Sequence, residues 1–289
     1  FRSYMERKNE LKYIMLIFLA ICFLATGGIF VRLSLLPPMH TAFYRVLLSI
    51  PLLYPFARND LKTISKKDVL NILLAGVFFG IDLAVWNVSF GYTSVANATL
   101  LANLVSFTVV PVSYFLFKEK IPSKFLLSIG ITVAGVAILL KGKMVPSQSS
   151  LFGDFLAFFA SFFYASFLLM VYRARDRVNA MTIIFICSFS TAVTIFSIMC
   201  FREGFIIPKT FNELYPLLGT ALCSQIIGQG LMSFCLGKVK ASLSSVLVLT
   251  QPVIAALYSF ILFRESLTAI ELLGIFITSI GVYYAKKTT

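Results

Sequence analysis

Long apolar runs, separated by short clusters of charged and turn-forming residues, dominate this chain. A helix that crosses the hydrocarbon core of a bilayer needs about 20 mostly apolar residues. The pattern predicts ten such spans, near residues 12–31, 39–57, 69–90, 95–117, 122–140, 151–172, 180–201, 212–236, 241–263 and 267–285. The predicted fold class is therefore an all-α integral membrane protein with ten transmembrane helices.

The composition excludes a soluble protein. Hydrophobic residues make up 59% of the 289 residues and charged residues 13%, whereas soluble domains are about 45–50% apolar and about 25% charged. Ten spans use most of the chain, so only short loops and tails remain outside the membrane. No separate catalytic domain fits in that remainder, and we expect the chain not to be an enzyme.

Basic residues orient the predicted bundle. Eighteen lysines and arginines fall on the side of the two termini, and six fall on the other side. Because cytoplasmic loops are rich in Lys and Arg, this bias predicts a multi-pass protein of the cytoplasmic membrane with both termini in the cytoplasm. The formal charge of +13 then belongs to loops beside the lipid bilayer rather than to a nucleic-acid site.

The two halves of the sequence align with each other. Residues Leu126–Val136 match Leu272–Val282 without a gap at a shift of 146, and Phe117-Lys118-Glu119 matches Phe263-Arg264-Glu265 at the same shift. Five spans separate equivalent positions, so the two repeats should have opposite orientations in the membrane. The predicted organisation is a tail (1–11), a first five-helix repeat (12–140), a linker (141–150), a second five-helix repeat (151–285) and a tail (286–289).

Further motifs occur in order along both halves. They are Thr26-Gly27-Gly28, Pro37-Pro38, Arg45, Trp86 through Leu104 and Phe117-Lys118-Glu119, then Gly153-Asp154, Ala160, Tyr164-Ala165, Pro252, Phe263-Arg264-Glu265, Gly274 and Gly281. With these motifs the chain resembles the EamA family of the drug/metabolite transporter superfamily. The resemblance implies ten spans as two inverted five-helix repeats. It also implies secondary transport of small polar metabolites, such as amino acids or related amine-bearing compounds, by alternating access.

The sequence departs from this family pattern at one position. The proline expected thirteen residues before the acidic end of the helix is Pro252 in the second half, but its equivalent is Ser106, and Pro111 lies further on. Because proline interrupts a helix, the difference predicts that helices four and nine bend differently. Glu119 and Glu265 precede the next helix in each half, so we expect each to oppose that helix's N-terminal dipole.

Two ionisable residues lie inside predicted spans, where charge is costly and so indicates function. Arg45 and Asp82 should lie about 9 and 14 Å below the outer surface at 1.5 Å per residue. They are compatible with a structural ion pair between helices two and three. Alternatively, Asp82 faces a cavity, where it neutralises a cationic group of the substrate or takes a coupling proton.

Uncharged polar residues form helical stripes that are further candidates for a substrate cavity. Thr99, Asn103 and Ser106 have the spacing of one helix face, as do Gln225 and Gln229. Trp86, the only tryptophan, follows Asp82 by one turn, and the remaining candidates are Asn87, Tyr164 and Gln251. Polar faces of membrane helices turn inward, so these groups either line a cavity or bond neighbouring helices.

Other chemistry finds little support in the sequence. No phosphate-binding loop is present, since neither Gly142-Lys143 nor Gly237-Lys238 is followed by Ser or Thr. With His40 as the single histidine, we expect no metal site and no cofactor. The expected partners are a small-molecule substrate and the bilayer, with a coupling proton or ion left open. The alternative functions are export of amphipathic or aromatic compounds, lipid flipping, and a non-transporting membrane partner.

Overall fold

The computed structural model describes residues 2–89, 91–93, 95–141, 151–202, 204–264 and 266–288. These ranges contain helices, turns and loops and no strand. The α-helices are α1 (Arg2–Leu33), α2 (Pro38–Ala57), α3 (Lys66–Ser89), α4 (Val95–Ala102), α5 (Ser106–Phe117), α6 (Ser123–Lys141), α7 (Leu151–Ala174), α8 (Ala180–Arg202), α9 (Phe211–Gly219), α10 (Gly230–Leu236), α11 (Ala241–Val248), α12 (Gln251–Phe263) and α13 (Ala269–Thr288). A π-helix (Thr220–Gln229) joins α9 to α10, and a short 3₁₀-helix covers Asp60–Lys62. Glu265 and residues 142–150 of the predicted linker lie outside the described residues.

The helices make this a multi-pass membrane protein. Within the described ranges, nine helical stretches are long and apolar enough to cross a bilayer. The predicted span at 39–57 corresponds to α2, which has 20 residues but is less apolar because it contains His40 and Arg45. The all-helical prediction is therefore confirmed for the described residues.

The chain forms two compact units, and each combines segments from both halves of the sequence. Unit 1 consists of Phe1–Leu83 and Phe167–Val239, and unit 2 consists of Ala84–Ser166 and Lys240–Thr289. Helices α3 and α7 each contribute residues to both units. The predicted five-helix repeats of the sequence are thus not the compact units of the fold.

Within unit 2, α6 and α13 meet through glycines. A β-carbon added to Gly281 would lie 2.6 Å from the backbone nitrogen of Thr132, and one added to Gly135 would collide with the backbone of Thr278. A β-carbon on Gly274 would lie 2.6 Å from the Cα of Leu139. As the contact position advances along α6 it moves back along α13, so the two helices are antiparallel. The absence of side chains lets the two backbones approach this closely.

Both predicted spans four and nine are interrupted, contrary to the expectation that they differ. A turn at residues 103–105 separates α4 from α5, and a turn at 249–250 separates α11 from α12. In the first turn the Asn103 side-chain amide donates to the Thr99 carbonyl at 2.8 Å. In the second, the Thr250 hydroxyl donates to the Leu247 carbonyl at 2.7 Å. The fourth span is therefore interrupted even though Ser106 stands at the position equivalent to Pro252.

Helices α5 and α12 also end alike. Lys118 and Arg264 follow them with φ values of 56° and 53°, the left-handed conformation of a helix C-cap. Their backbone N–H groups donate to the carbonyls of Ser113 and Ser259. Like the two capping residues, these two serines are 146 positions apart, the shift at which the sequence halves align.

Glu119 lies against a different helix from the expected one. Its carboxylate accepts hydrogen bonds from the backbone N–H groups of Ala241 at 3.0 Å and Ser242 at 3.3 Å, and from the Ser242 hydroxyl. It therefore caps α11 rather than α6, although the expected chemistry, an acid at a helix N-terminus, is present. The left-handed turn at Lys118 precedes this carboxylate and changes the direction of the chain.

Within unit 1, α3 and α8 are in close backbone contact. The Thr191 hydroxyl donates to the Gly76 carbonyl at 2.7 Å, and a β-carbon on Gly76 would lie 2.8 Å from the Cα of Cys187. Gly80, one turn later, lies against Thr194. This contact fixes the position of the part of α3 that carries Asp82.

Candidate functional site

Arg45 lies in a polar setting within unit 1. Its Nε–H donates to the side-chain oxygen of Gln225 at 3.0 Å. The guanidinium carbon lies 5.9 Å from the centre of the Phe79 ring, a distance at which a cation is attracted to an aromatic face. Helices α2 and α3 and the π-helix therefore all contribute to the surroundings of this charge.

A chain of side-chain hydrogen bonds continues from Gln225 to the neighbouring helices. The Gln225 amide donates to the Ser188 hydroxyl at 3.1 Å, and the Ser49 hydroxyl donates to the same oxygen at 3.2 Å. Both serines and Gln225 are buried. Because a buried polar group without a partner is costly, this network favours one rotamer of Gln225 and with it the orientation of the Arg45 Nε–H.

Asp82 is buried on α3, with 8% of its surface exposed. The Arg45 guanidinium attracts its carboxyl group electrostatically. Phe79 precedes Asp82 by one helical turn, so α3 presents a ring and a carboxyl group on the same side. Arg45, which is partly buried, and the buried Asp82 thus lie close enough in unit 1 for their opposite charges to interact.

The two glutamines of the predicted stripe lie on the π-helix rather than on an α-helix. Gln225 and Gln229 are both buried. The π-helix packs on α1, where the Ser224 hydroxyl donates to the Leu24 carbonyl at 3.3 Å and Gly228 lies against the Leu24 backbone. π-Helical segments are rare and occur frequently at functional sites. This segment is therefore a candidate part of the functional site, together with Arg45 and Asp82.

The other predicted candidates belong to unit 2. Trp86 and Asn87 lie on the last turns of α3 and Tyr164 on α7, and all three are partly buried. Thr99, Asn103 and Ser106 do not share one helix, because α4 ends at Ala102. Ser106 is buried at the start of α5, and Gln251 is partly buried at the start of α12. The turn at 103–105 therefore divides the predicted polar stripe between α4 and α5.

The sequence does not predict three residues around Arg45 and Gln225, namely Ser49, Ser188 and Phe79. Ser49 and Ser188 sit in apolar runs, where a single serine gives no distinctive signal. Phe79 had a detectable signal, since an aromatic residue three positions before a charged residue shares its helix face. Within the described residues, no three His, Cys, Asp or Glu side chains cluster in a way that could hold a metal ion.

Comparison with known proteins identifies the family. The EamA-like transporter family matches residues 11–141 and 151–285. The chain belongs to this family. A transporter from Archaeoglobus fulgidus described as uncharacterized is 26% identical over 279 residues, which cover 92% of this chain and 94% of that protein.

Two relatives of this chain have more specific descriptions. A probable amino-acid metabolite efflux pump of Escherichia coli is 23% identical over 269 residues, covering 88% of this chain and 87% of the relative. The pseudopaline exporter of Pseudomonas aeruginosa is 24% identical over 196 residues, covering 67% of this chain and 66% of the exporter. A protein known from a crystal structure shares the fold, with a TM-score of 0.80 over 96% of this chain and 98% of that one, at 15% identity.

Proposed function

We propose that this EamA-like transporter moves small amine-bearing metabolites, including amino acids, across the cytoplasmic membrane by secondary transport. The observation that carries the proposal is the attraction between the partly buried Arg45 and the buried Asp82 in unit 1. An intramembrane ionisable residue commonly marks a substrate or ion pathway. A pair with one charge of each sign suits a substrate that itself carries both.

The chemistry of recognition follows from the two side chains. A substrate ammonium group is a donor that a carboxylate accepts, which gives Asp82 the amine end. A substrate carboxylate is an acceptor for guanidinium N–H groups, which gives Arg45 the acid end. Gln225 holds the Arg45 Nε–H at 3.0 Å and so keeps the guanidinium in place before substrate arrives.

The descriptions of two relatives support both the substrate class and the direction. One is named as an efflux pump for amino-acid metabolites and the other as an exporter. We therefore propose outward transport. The absence of a phosphate-binding loop from the sequence favours a secondary mechanism, in which a gradient rather than ATP hydrolysis drives transport.

The proposed architecture is ten transmembrane helices arranged as two inverted five-helix repeats, 12–140 and 151–285. Support comes from α6 and α13, which are equivalent in the sequence alignment and antiparallel in unit 2. The matching helix interruptions and the matching left-handed caps at Lys118 and Arg264 agree with it. Inverted repeats commonly underlie alternating access, and we propose that mechanism for this chain.

The proposed orientation places both termini in the cytoplasm. The loop between α2 and α3 lies against the start of α8, because the Thr182 hydroxyl donates to Asp60 at 2.8 Å. The loop between α7 and α8 lies beside the start of α3, where an Arg177 nitrogen is 3.6 Å from Asp68. Both loops are basic, as cytoplasmic loops are. In a cysteine-free background, a cysteine in place of Lys66 should react with an impermeant reagent only from the inside, and one in place of Lys209 only from the outside. The reverse pattern contradicts this orientation.

Counterflow in proteoliposomes tests the proposed function. Vesicles containing the purified protein are loaded with one unlabelled compound and exposed to a labelled amino acid, using a panel of amino acids, amines, carboxylic acids and apolar aromatic compounds. We expect labelled substrate to accumulate only when the internal compound carries an amine, and no accumulation in protein-free vesicles. If only apolar aromatic compounds exchange, the proposed substrate class is wrong. If none of the compounds exchanges, the protein does not transport any member of this panel.

A further inference from the structure

A charged groove lies at one end of unit 1, away from Arg45 and Asp82. It has a volume of about 290 Å³ and lies between the first turns of α3 and the end of α7. Its polar and charged lining residues are Lys67, Asp68, Asn71, Arg173 and Arg177. The mechanism proposed above uses none of them.

The groove carries excess positive charge. Lys67, Arg173 and Arg177 are all exposed, and Asp68 is the single carboxylate among the described residues that line the groove. That carboxylate already accepts a hydrogen bond from the Ser65 hydroxyl at 2.6 Å and lies 3.6 Å from an Arg177 nitrogen. Three basic residues and one carboxylate thus leave the groove with an excess of two positive charges, and Lys67 adds its charge where the α3 dipole is positive.

An apolar strip follows the groove residues on the same helix. Leu70 and Leu74 follow Lys67 by three and seven positions on α3, which places them on one helix face. They are 67% and 45% exposed. The groove thus lies where the charged end of α3 meets its apolar part, at the level of the lipid headgroups.

The remaining arginine of this loop has a different role. An Arg175 side-chain nitrogen donates to the Val178 carbonyl at 2.5 Å, and the guanidinium carbon lies 5.8 Å from the centre of the Phe234 ring. Burial lowers the pKa of Arg175. Arg175 is therefore packed against the protein, whereas Arg173 and Arg177 face the groove.

We infer that this groove binds the phosphate of an anionic phospholipid, with Lys67, Arg173 and Arg177 around the phosphate and an acyl chain along Leu70 and Leu74. Basic pockets between transmembrane helices recognise anionic headgroups in this way. The exposed leucines favour a lipid over a soluble phosphate, because only a lipid covers them as it binds.

The test is titration of the delipidated, detergent-solubilised full chain with phosphatidylglycerol or phosphatidylcholine, followed by native mass spectrometry. We expect preferential binding of phosphatidylglycerol. Each basic residue near a membrane surface contributes about a fivefold factor to such binding. The Lys67→Gln variant should therefore bind about fivefold more weakly, and Arg173→Gln combined with Arg177→Gln more weakly still. The matched control is Arg58→Gln combined with Lys62→Gln, which removes two exposed charges at the same end outside the groove.

The outcomes separate the two possible sources of phosphate. Unchanged affinity in the control and loss in the groove variants support the inference. Equal loss in both sets shows a general charge effect and overturns it. Equal binding of glycerol 3-phosphate and of phosphatidylglycerol in the same titration also overturns it, because the site then takes a soluble phosphate ester. Lys67→Gln changes one exposed side chain, so it tests the groove even where the double variant fails to fold.

Discussion

The side-chain oxygen of Gln225 accepts a hydrogen bond from the Arg45 Nε–H at 3.0 Å, across 180 positions of sequence. This bond joins α2 to the π-helix. It also sets one side of the pair formed by Arg45 and Asp82, since it holds the guanidinium whose charge attracts the Asp82 carboxyl group. The orientation of the proposed substrate site therefore depends on an uncharged residue.

Replacing Gln225 with leucine should destabilise the protein. The substitution removes the acceptor of a partly buried, charged donor, and hydrogen bonds to charged groups contribute about 1.5–3 kcal/mol. We expect the free energy of unfolding in detergent to fall by about that amount. Gln225→Glu, which retains an acceptor oxygen, is the matched control and should lose less. Equal stability of Gln225→Leu and the wild type would show that this bond has no energetic importance.

Replacing Glu119 with glutamine should weaken the start of α11. The carboxylate accepts two backbone N–H groups and the Ser242 hydroxyl in a buried position, and the charge opposes the positive end of the helix dipole. We expect a loss of about 1–3 kcal/mol, because capping and dipole effects add. Glu213→Gln serves as the comparison. Glu213 also lies at a helix start but is more exposed, so a loss as large as that of Glu119→Gln would contradict the capping explanation.

Replacing Gly281 with alanine should separate α6 from α13. The new β-carbon would lie 2.6 Å from the Thr132 backbone nitrogen, where neither backbone has room to move alone. Overpacking of this kind costs about 1–3 kcal/mol. Gly130→Ala on α6 is the control, since a β-carbon there meets nothing within 4 Å, and alanine in a helix gains about 0.5–1 kcal/mol over glycine. Thermal melts that move in the same direction for both variants would contradict the close contact.

The sequence predicts the helices well because each span is a long apolar run with a charged or turn-forming cluster at its ends. It predicts their interruptions poorly, since the turn at 103–105 divides the fourth span although Ser106 stands where the ninth span has Pro252. Glu119 is a second case in which the sequence predicts the chemistry of a residue but not its contact. Its chemistry is readable from the sequence, but the helix it caps is 122 positions away.

The candidate site is predictable in part. Arg45 and Asp82 stand out because charge is rare inside a span. The bond to Gln225 and the serines behind it depends on how α2, α8 and the π-helix pack. No local pattern in the sequence encodes that packing or the π-helical geometry around Gln225.

The role of Asp82 can be separated from a structural role by measuring two properties on the same samples. Asp82→Asn keeps the size of the side chain but removes its charge. If Asp82 binds the substrate amine, the loss of a charged hydrogen bond, about 1.5–3 kcal/mol, lowers transport about ten- to hundredfold. If Asp82 only balances Arg45, breaking the buried pair costs roughly 3–5 kcal/mol of stability, and adding Arg45→Gln should restore part of it.

The measurement that tests this account most directly is counterflow of an amine-bearing substrate, recorded with the melting temperature, for Asp82→Asn, Arg45→Gln and the double variant. Asp176→Asn, which removes an exposed loop carboxylate, is the control and should transport normally. The account predicts a ten- to hundredfold loss of counterflow in Asp82→Asn with a melting temperature close to that of the wild type. Normal transport by a stable Asp82→Asn protein would contradict it, as would a loss of stability that Arg45→Gln restores.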